Sequence, residues 1–355
     1  MKPSFRRDRI LFIAVLVFCV LGVGASAAGE IVQMDFSPDG RYLAATDRDG
    51  ILQIIDLHAR GRRVVADKAA AEGGLDWSPS GNRLVFCLRR DDAWDLALAE
   101  PNGELTMLTE DLWRDFHPVW SPDGAGIYYC SSRGAGYHGD YDIRFYEIAS
   151  EQSYLLISGP HDQSGPRISP DGRWLAAISF KEGNPVLLVY AVKAMRALQI
   201  SMPPSLRGGE LEIVQWLGDS ERILCQLSTG NRHYLMFCRV SHENWEPLIE
   251  AAERFRSVCL NSRTAEILYV IENRVHRRRI DGSGWRRERT LPLDDLPPGP
   301  LAVSSDGQTL AVATAGALIG TANARGRHLT PAIDSAPESL RWGDLYVQSG
   351  RLHKG

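Results

Sequence analysis

Two histidines with carboxylates close by are the side chains best suited to chemistry in this sequence. His117 lies in EDLWRDFHPV (110–119) with Trp113, Arg114 and Asp115, and His161 lies in SGPHDQSGPR (158–167) beside Asp162. A third stretch of the same character, EAAERFRSV (250–258), adds Arg254 and Arg256. Imidazole is a general base near neutral pH and a common metal ligand, so the histidines and their acids would form a metal or acid–base site if these stretches converge. Without convergence, the same residues still offer guanidinium forks and an indole face to a bound ligand. A second concentration, NRVHRRRIDGSGWRRERT (273–290), holds seven arginines and Trp285. Within it, Arg277, Arg278, Arg279, Arg286 and Arg287 around Trp285 could hold an anionic partner such as lipid headgroups or an acidic glycan. The competing expectation is a pair of charged outer strands, which discourage edge-to-edge aggregation. GYHGDYD (136–142) places His138, Asp140 and Asp142 close together, either as a small cation loop or as a loop leading into a strand.

Known catalytic patterns are absent. The chain has no G-x-S-x-G elbow, H-E-x-x-H helix, Walker A loop or EF-hand loop. Neither a metal nor a cofactor is therefore expected, and the balance leans away from an enzyme.

The elements that must position these residues show themselves as a repeat. A tight polar turn followed by an apolar run recurs as DFSPDGRYLAAT, DWSPSGNRLVFC, VWSPDGAGIYYC, RISPDGRWLAAIS and VSSDGQTLAVAT. Worn copies are QWLGDSERILCQL and CLNSRTAEILYVI, and an eighth start is LRWGDLYVQSG. Marked by the apolar residue before each turn, the units begin at Phe36, Trp77, Trp120, Ile168, Trp216, Leu260, Val303 and Trp342, spaced 41, 43, 48, 48, 44, 43 and 39 residues apart. Each unit reads as a short apolar strand, the turn, an apolar β-rich strand, a third strand such as YDIRFYEI, and a more polar fourth such as SYLLIS. Four short strands per roughly 40 residues, without helical periodicity, describe a propeller blade. In Ser-Pro-Asp-Gly, Pro presets the first central position, Asp suits the second, and Gly supplies the left-handed backbone from which the next strand starts. Ser37, Ser121 and Ser169 can bond back to nearby amides and fix the bend. The aspartates are expected to cap their own turns rather than bind cations.

The units resemble the repeat of the TolB-type β-propeller family, whose blades carry W-S-P-D-G-x-x-I-A-F and then a D-I-Y-like third strand. WSPDGAGIYYCSSRGAGYHGDYDIRFYEI (120–148) resembles it most strongly. The resemblance implies an all-β propeller of four-stranded antiparallel blades over residues 28–355. The expected count is eight repeat units with the last truncated, and the alternative is seven blades plus a C-terminal hairpin. It implies little about activity, because such propellers serve as docking platforms, substrate gates and sometimes enzymes. TolB itself carries an α/β domain ahead of its propeller, whereas here the first unit follows the N-terminal leader within a few residues, so TolB's partners are not implied. In a propeller the crossings that carry Trp113 to His117, His161, Asp162, Arg254 and Arg256 line the mouth of the central channel.

Bulk composition fits a single large folded body: 44% of the 355 residues are hydrophobic and 24% charged. MKPSFRRDR is a basic start, ILFIAVLVFCVLGV an apolar run of 14 residues, and GASAAGE an A-x-A cleavage pattern. Residues 1–27 are therefore expected to be a secretory signal peptide, giving a periplasmic or secreted protein; the alternative is an N-terminal membrane anchor. That leader carries +3 of the −4 net charge, so the body carries −7 and offers no electrostatic case for nucleic acid. Five cysteines remain (Cys87, Cys130, Cys225, Cys238 and Cys259), an odd number within apolar strands, expected as buried packing residues rather than disulfides. The expected function is a monomeric, non-enzymatic scaffold binding an envelope protein or peptide. The alternative is a glycan-active lyase or hydrolase with a metal or His/Asp site at the channel mouth. Membrane-surface contact through the Arg-rich unit is a further expectation.

Overall fold

The repeated turn does what its residues dictate. In the fourth unit Ser169 Oγ donates to Asp171 Oδ1 at 2.7 Å, the amides of Arg173 and Trp174 donate back to Asp171 Oδ1 and Ser169 Oγ at 3.0 Å, and Gly172 takes φ +71°. The same Ser-to-Asp bond closes the turns at Ser37–Asp39 and Ser121–Asp123, at 2.6 Å in both. The carboxylates are thus engaged by their own turns, and each turn delivers the chain into an antiparallel hairpin. The computed structural model describes residues 30–323 apart from 60, 134–140, 160, 182–183, 262–264, 272–273, 281–288, 293–297, 306–308 and 315–316.

Those residues form six four-stranded antiparallel blades, spanning 31–66, 75–107, 115–157, 163–201, 210–251 and 258–292, and a three-stranded sheet over 298–323. Strands within each blade follow chain order. The second strands are buried along almost their whole length, as in Gly126–Ser131, because blades pack on both of their faces. That is why these segments read as continuous apolar runs rather than as alternating ones. Fourth strands such as Gln152–Ile157 are largely exposed, consistent with their polar composition.

First strands of successive blades lie side by side, and Ile31–Phe36 of the first blade lies beside Pro298–Val303 of the three-stranded sheet. The first strands therefore ring a central channel, and the ring closes on itself. A buried apolar cluster fills each seam. Between blades 1 and 2 it contains Ile54, Trp77, Leu84 and Phe86, and at the closure Phe36, Leu43 and Ile55 meet Ala302 and Ala311. Two of the marker tryptophans reach across these seams. Trp77 Nε1 donates to the Asp35 carbonyl at 3.2 Å, and Trp216 Nε1 donates to the Arg167 carbonyl at 2.8 Å.

The expected count of eight units is corrected by this closure, as is seven full blades plus a hairpin. Among the described residues there are six complete blades and one sheet of three strands. The first strand packs directly against that sheet, which leaves no room in the ring for a further blade. Turn phrases count hairpins, and a hairpin becomes a blade only where two more strands pair with it. The unit beginning at Trp342 and the leader at 1–27 lie outside the described residues, as do His138 and Asp140. Cys87, Cys130, Cys225 and Cys238 are buried, and all five cysteines in the described region are free thiols. Cys225 faces Met236 and Cys238 faces Ile223, so that pair is two positions out of register. Burial pushes the Cys130, Cys238 and Cys259 thiols up to about 12, which makes them unreactive packing groups.

Candidate functional site

Charged residues occupy one rung of the channel wall. Asp35, Asp76 and Arg167 each stand immediately before their unit's marker on a first strand, where other units carry Val119, Gln215, Cys259 and Ala302. Asp76 Oδ2 accepts the backbone amide of Trp120 in the next blade at 2.6 Å, tying two first strands together. Burial raises the Asp76 carboxyl to about 7, against the opposing pull of the Trp120 amide and the Arg167 charge. Asp35 is raised well above the ordinary carboxylate range, first by burial and then by the Asp76 charge. Both groups are only partly accessible, and a charge on Asp76 opposes ionisation of Asp35.

The sequence-predicted residues separate into structural and exposed groups. Asp115 is 1% exposed, and its carboxyl is pushed up to about 7 by burial against side-chain hydrogen bonds from Ser131 and Thr109. His117 adopts φ +52° on the bulged first strand of blade 3, packs edge-on to Phe116 at 4.8 Å between ring centres, and bonds through its amide to the Gly73 carbonyl. Its imidazole is pushed down to about 4 by burial and by the Arg167 charge, so it is neutral at physiological pH. Asp162 Oδ1 accepts the Tyr141 amide at 2.9 Å, and the His161 carbonyl accepts the Gln163 side-chain amide. Arg114 Nε donates to the Asp92 carbonyl at 3.2 Å, and Trp113 stays 38% exposed at the crossing. Among the described residues no group of three or more His, Cys, Asp or Glu is gathered as a metal ion would require.

Arg254 and Arg256 do meet a partner residue. They line a cavity of about 510 Å³ in the channel wall, where blades 4, 5 and 6 adjoin, together with Arg167, Glu212, Gln226 and Ser257. Arg254 pairs with Glu210 at 3.0 Å, and Gln226 Nε2 donates to the Phe255 carbonyl at 3.3 Å. The Arg167 guanidinium donates to the carbonyl of its own neighbour Pro166 at 2.9 Å. The volume suits a small ligand or the end of a longer one. Of the Arg-rich unit, Arg277, Arg278 and Arg279 lie on the third strand of blade 6, opposite Leu268, Ile267 and Glu266. Trp285, Arg286 and Arg287 lie outside the described residues.

Asp35, Asp76 and Arg167 were not legible as site residues because each lies near the end of a first strand, just ahead of the apolar marker and turn that mark the unit. Aligning the repeats column by column would have exposed them, since their column is otherwise occupied by uncharged residues.

A family model for the WD domain, G-beta repeat (WD40) matches residues 20–56, whose described part is the first three strands of blade 1. The uncharacterized protein Atu1656 of Agrobacterium fabrum is 28% identical over 157 residues, covering 42% of this chain and 51% of that protein, so the match spans about half of the relative's length. Among solved structures, a protein assigned as TolB from Agrobacterium tumefaciens superposes with a TM-score of 0.51 at 20% identity, over 62% of this chain and 80% of that one. Hydrazine synthase of Kuenenia stuttgartiensis gives 0.62 at 15% identity, over 82% and 94%. The β-propeller domain of Myceliophteria thermophila Cps50 (Swd1) gives 0.62 at 14%, over 86% and 98%. At these identities the shared property is the propeller fold. Among the described residues no helix is long and apolar enough to cross a membrane.

Proposed function

We propose that this chain, a propeller built of TolB-like and WD40-like repeats, is an exported scaffold that binds a protein or peptide partner at the mouth of its channel. The observation that carries this reading is the open cavity between blades 4, 5 and 6, with Arg167, Arg254 and Arg256 in its wall. A ring of blades gives such a mouth a rigid frame, while the crossings that form it differ from unit to unit. The opposite face is built from repeated turns whose polar groups bond one another. Export is supported by the basic, apolar and small-residue order of residues 1–27. A glycan-active centre on His117 and His161 has less support, because His117 is a neutral ring packed against Phe116.

Site-specific photo-crosslinking in intact cells tests the proposal. A photoreactive residue at Arg256 is expected to trap a discrete partner from the cell envelope, whereas one at Asp123, on the turn face, traps none. Crosslinks from Asp123 alone, or from neither position, would overturn the proposal.

A further inference from the structure

The cavity carries a charge arrangement more specific than a general binding mouth. Three guanidinium groups, from Arg167, Arg254 and Arg256, share it with the carboxylate of Glu212, and Arg254 is already paired with Glu210. Within the lining and its ion pair, three positive charges stand against two negative ones. Among the described residues the exposed Arg256 side chain makes no hydrogen bond or ion pair, and Arg167 uses one donor on a local carbonyl. Guanidinium is a planar fork whose spare donors match a planar carboxylate. A surplus of one charge suits a monoanion better than a dianionic phosphate. Arg167, half-buried on its first strand, also lowers the proton affinity of Asp35, Asp76 and His117, which places its charge within electrostatic reach of the other first strands.

The shape fits the end of a chain. The cavity wall follows consecutive backbone on two neighbouring segments, Glu212 to Val214 and Arg254 to Val258, and is partly open. First strands pair only with their second strands, so their other edge faces this space with backbone groups available to an extended guest. We infer that the cavity is a carboxylate receptor for the partner peptide, gripping its terminal carboxylate between Arg167 and Arg256. This rests on the partner-binding role proposed above and adds the chemistry of what is bound.

Calorimetric titration of the purified protein with N-acetyl-tetra-alanine as free acid, and with its C-terminal amide, tests the inference. The free acid is expected to bind at least about tenfold more tightly than the amide, and more tightly than acetate or inorganic phosphate. Arg167→Gln and Arg256→Gln should each remove most of that acid-over-amide preference, with Arg167→Lys restoring part of it. Their melting temperatures should stay within a few degrees of the parent, since Arg167 meets Trp216 only through its backbone carbonyl. Equal binding of acid and amide overturns the inference, as does a preference untouched by Arg167→Gln. Acetate binding as tightly as the tetrapeptide would overturn the peptide as the source of the carboxylate. Crosslinking from Arg256 without acid-over-amide preference would sink this inference alone and leave the binding role standing.

Discussion

A carboxyl on the channel wall can brace the ring and also make its stability depend on pH. Asp76 holds the Trp120 amide, which a first strand would otherwise turn unpaired toward the lumen. Burial raises its carboxyl to about 7, whereas the unfolded chain loses the same proton near the ordinary carboxylate range. The protonated group therefore contributes stability that is fully present below about pH 4 and is lost progressively as pH rises to about 7. Asp76→Asn keeps an acceptor for Trp120 without the ionisation. It is expected to gain on the parent as pH rises, exceeding it by roughly 1 kcal/mol or more at pH near ~8. Asp76→Ala loses the bond at every pH, at a cost of about 1 kcal/mol. Urea unfolding at mildly acid and mildly alkaline pH separates these outcomes, and an Asn variant weaker than the parent at both would refute the assignment.

At the level of elements, the turn and the hairpin it launches were legible from residue types alone. Ser169, Asp171 and Gly172 bond one another locally, and among the described residues the only distant bond to the turn is the Asp171 amide donating to Ser220 Oγ at 3.2 Å. Gly172 sits at φ +71°, and an added Cβ would meet only ordinary contact, the nearest atom being Pro122 Cδ at 3.9 Å. Gly172→Val is therefore expected to cost about 1–2 kcal/mol from backbone strain alone. Gly126 has the opposite problem: a Cβ there would lie 2.3 Å from both Phe145 Cζ and the Tyr146 carbonyl. Gly126→Ala should be the more damaging change, by roughly 1–3 kcal/mol of overpacking beyond any local effect. Denaturant midpoints of the two variants, measured side by side, check that order. Nothing in the local sequence marks Gly126 as crowded, because the clash there arises from the third strand of its blade.

For the whole molecule the decisive contact is the seam between the first and last sheets. Leu43 is fully buried there with Phe36, Ile55, Ala302 and Ala311. Leu43→Ala is expected to cost about 2–5 kcal/mol. Because this seam closes the ring, amide exchange should quicken in both Ile31–Phe36 and Thr309–Thr314, strands far apart in sequence. Quickening in the first blade alone would mean that the two ends do not hold each other. The blade count belongs to this scale too. Spacing led to eight units because it counts turn phrases, whereas the ring admits only the sheets that fit between Ile31–Phe36 and Pro298–Val303.

The amino-acid sequence by itself determined the hairpins, the all-β repeat and the packing role of the cysteines, since each follows from short-range chemistry or from a period in the apolar residues. Only the tertiary structure decided the number of blades, the neutrality of His117, and the meeting of Arg167 with Arg254 and Arg256. Arg167 and Arg256 stand 89 positions apart in the chain. Closure of the blades into a ring brings first strands together, and no local pattern records which side chains will then face one another across the channel.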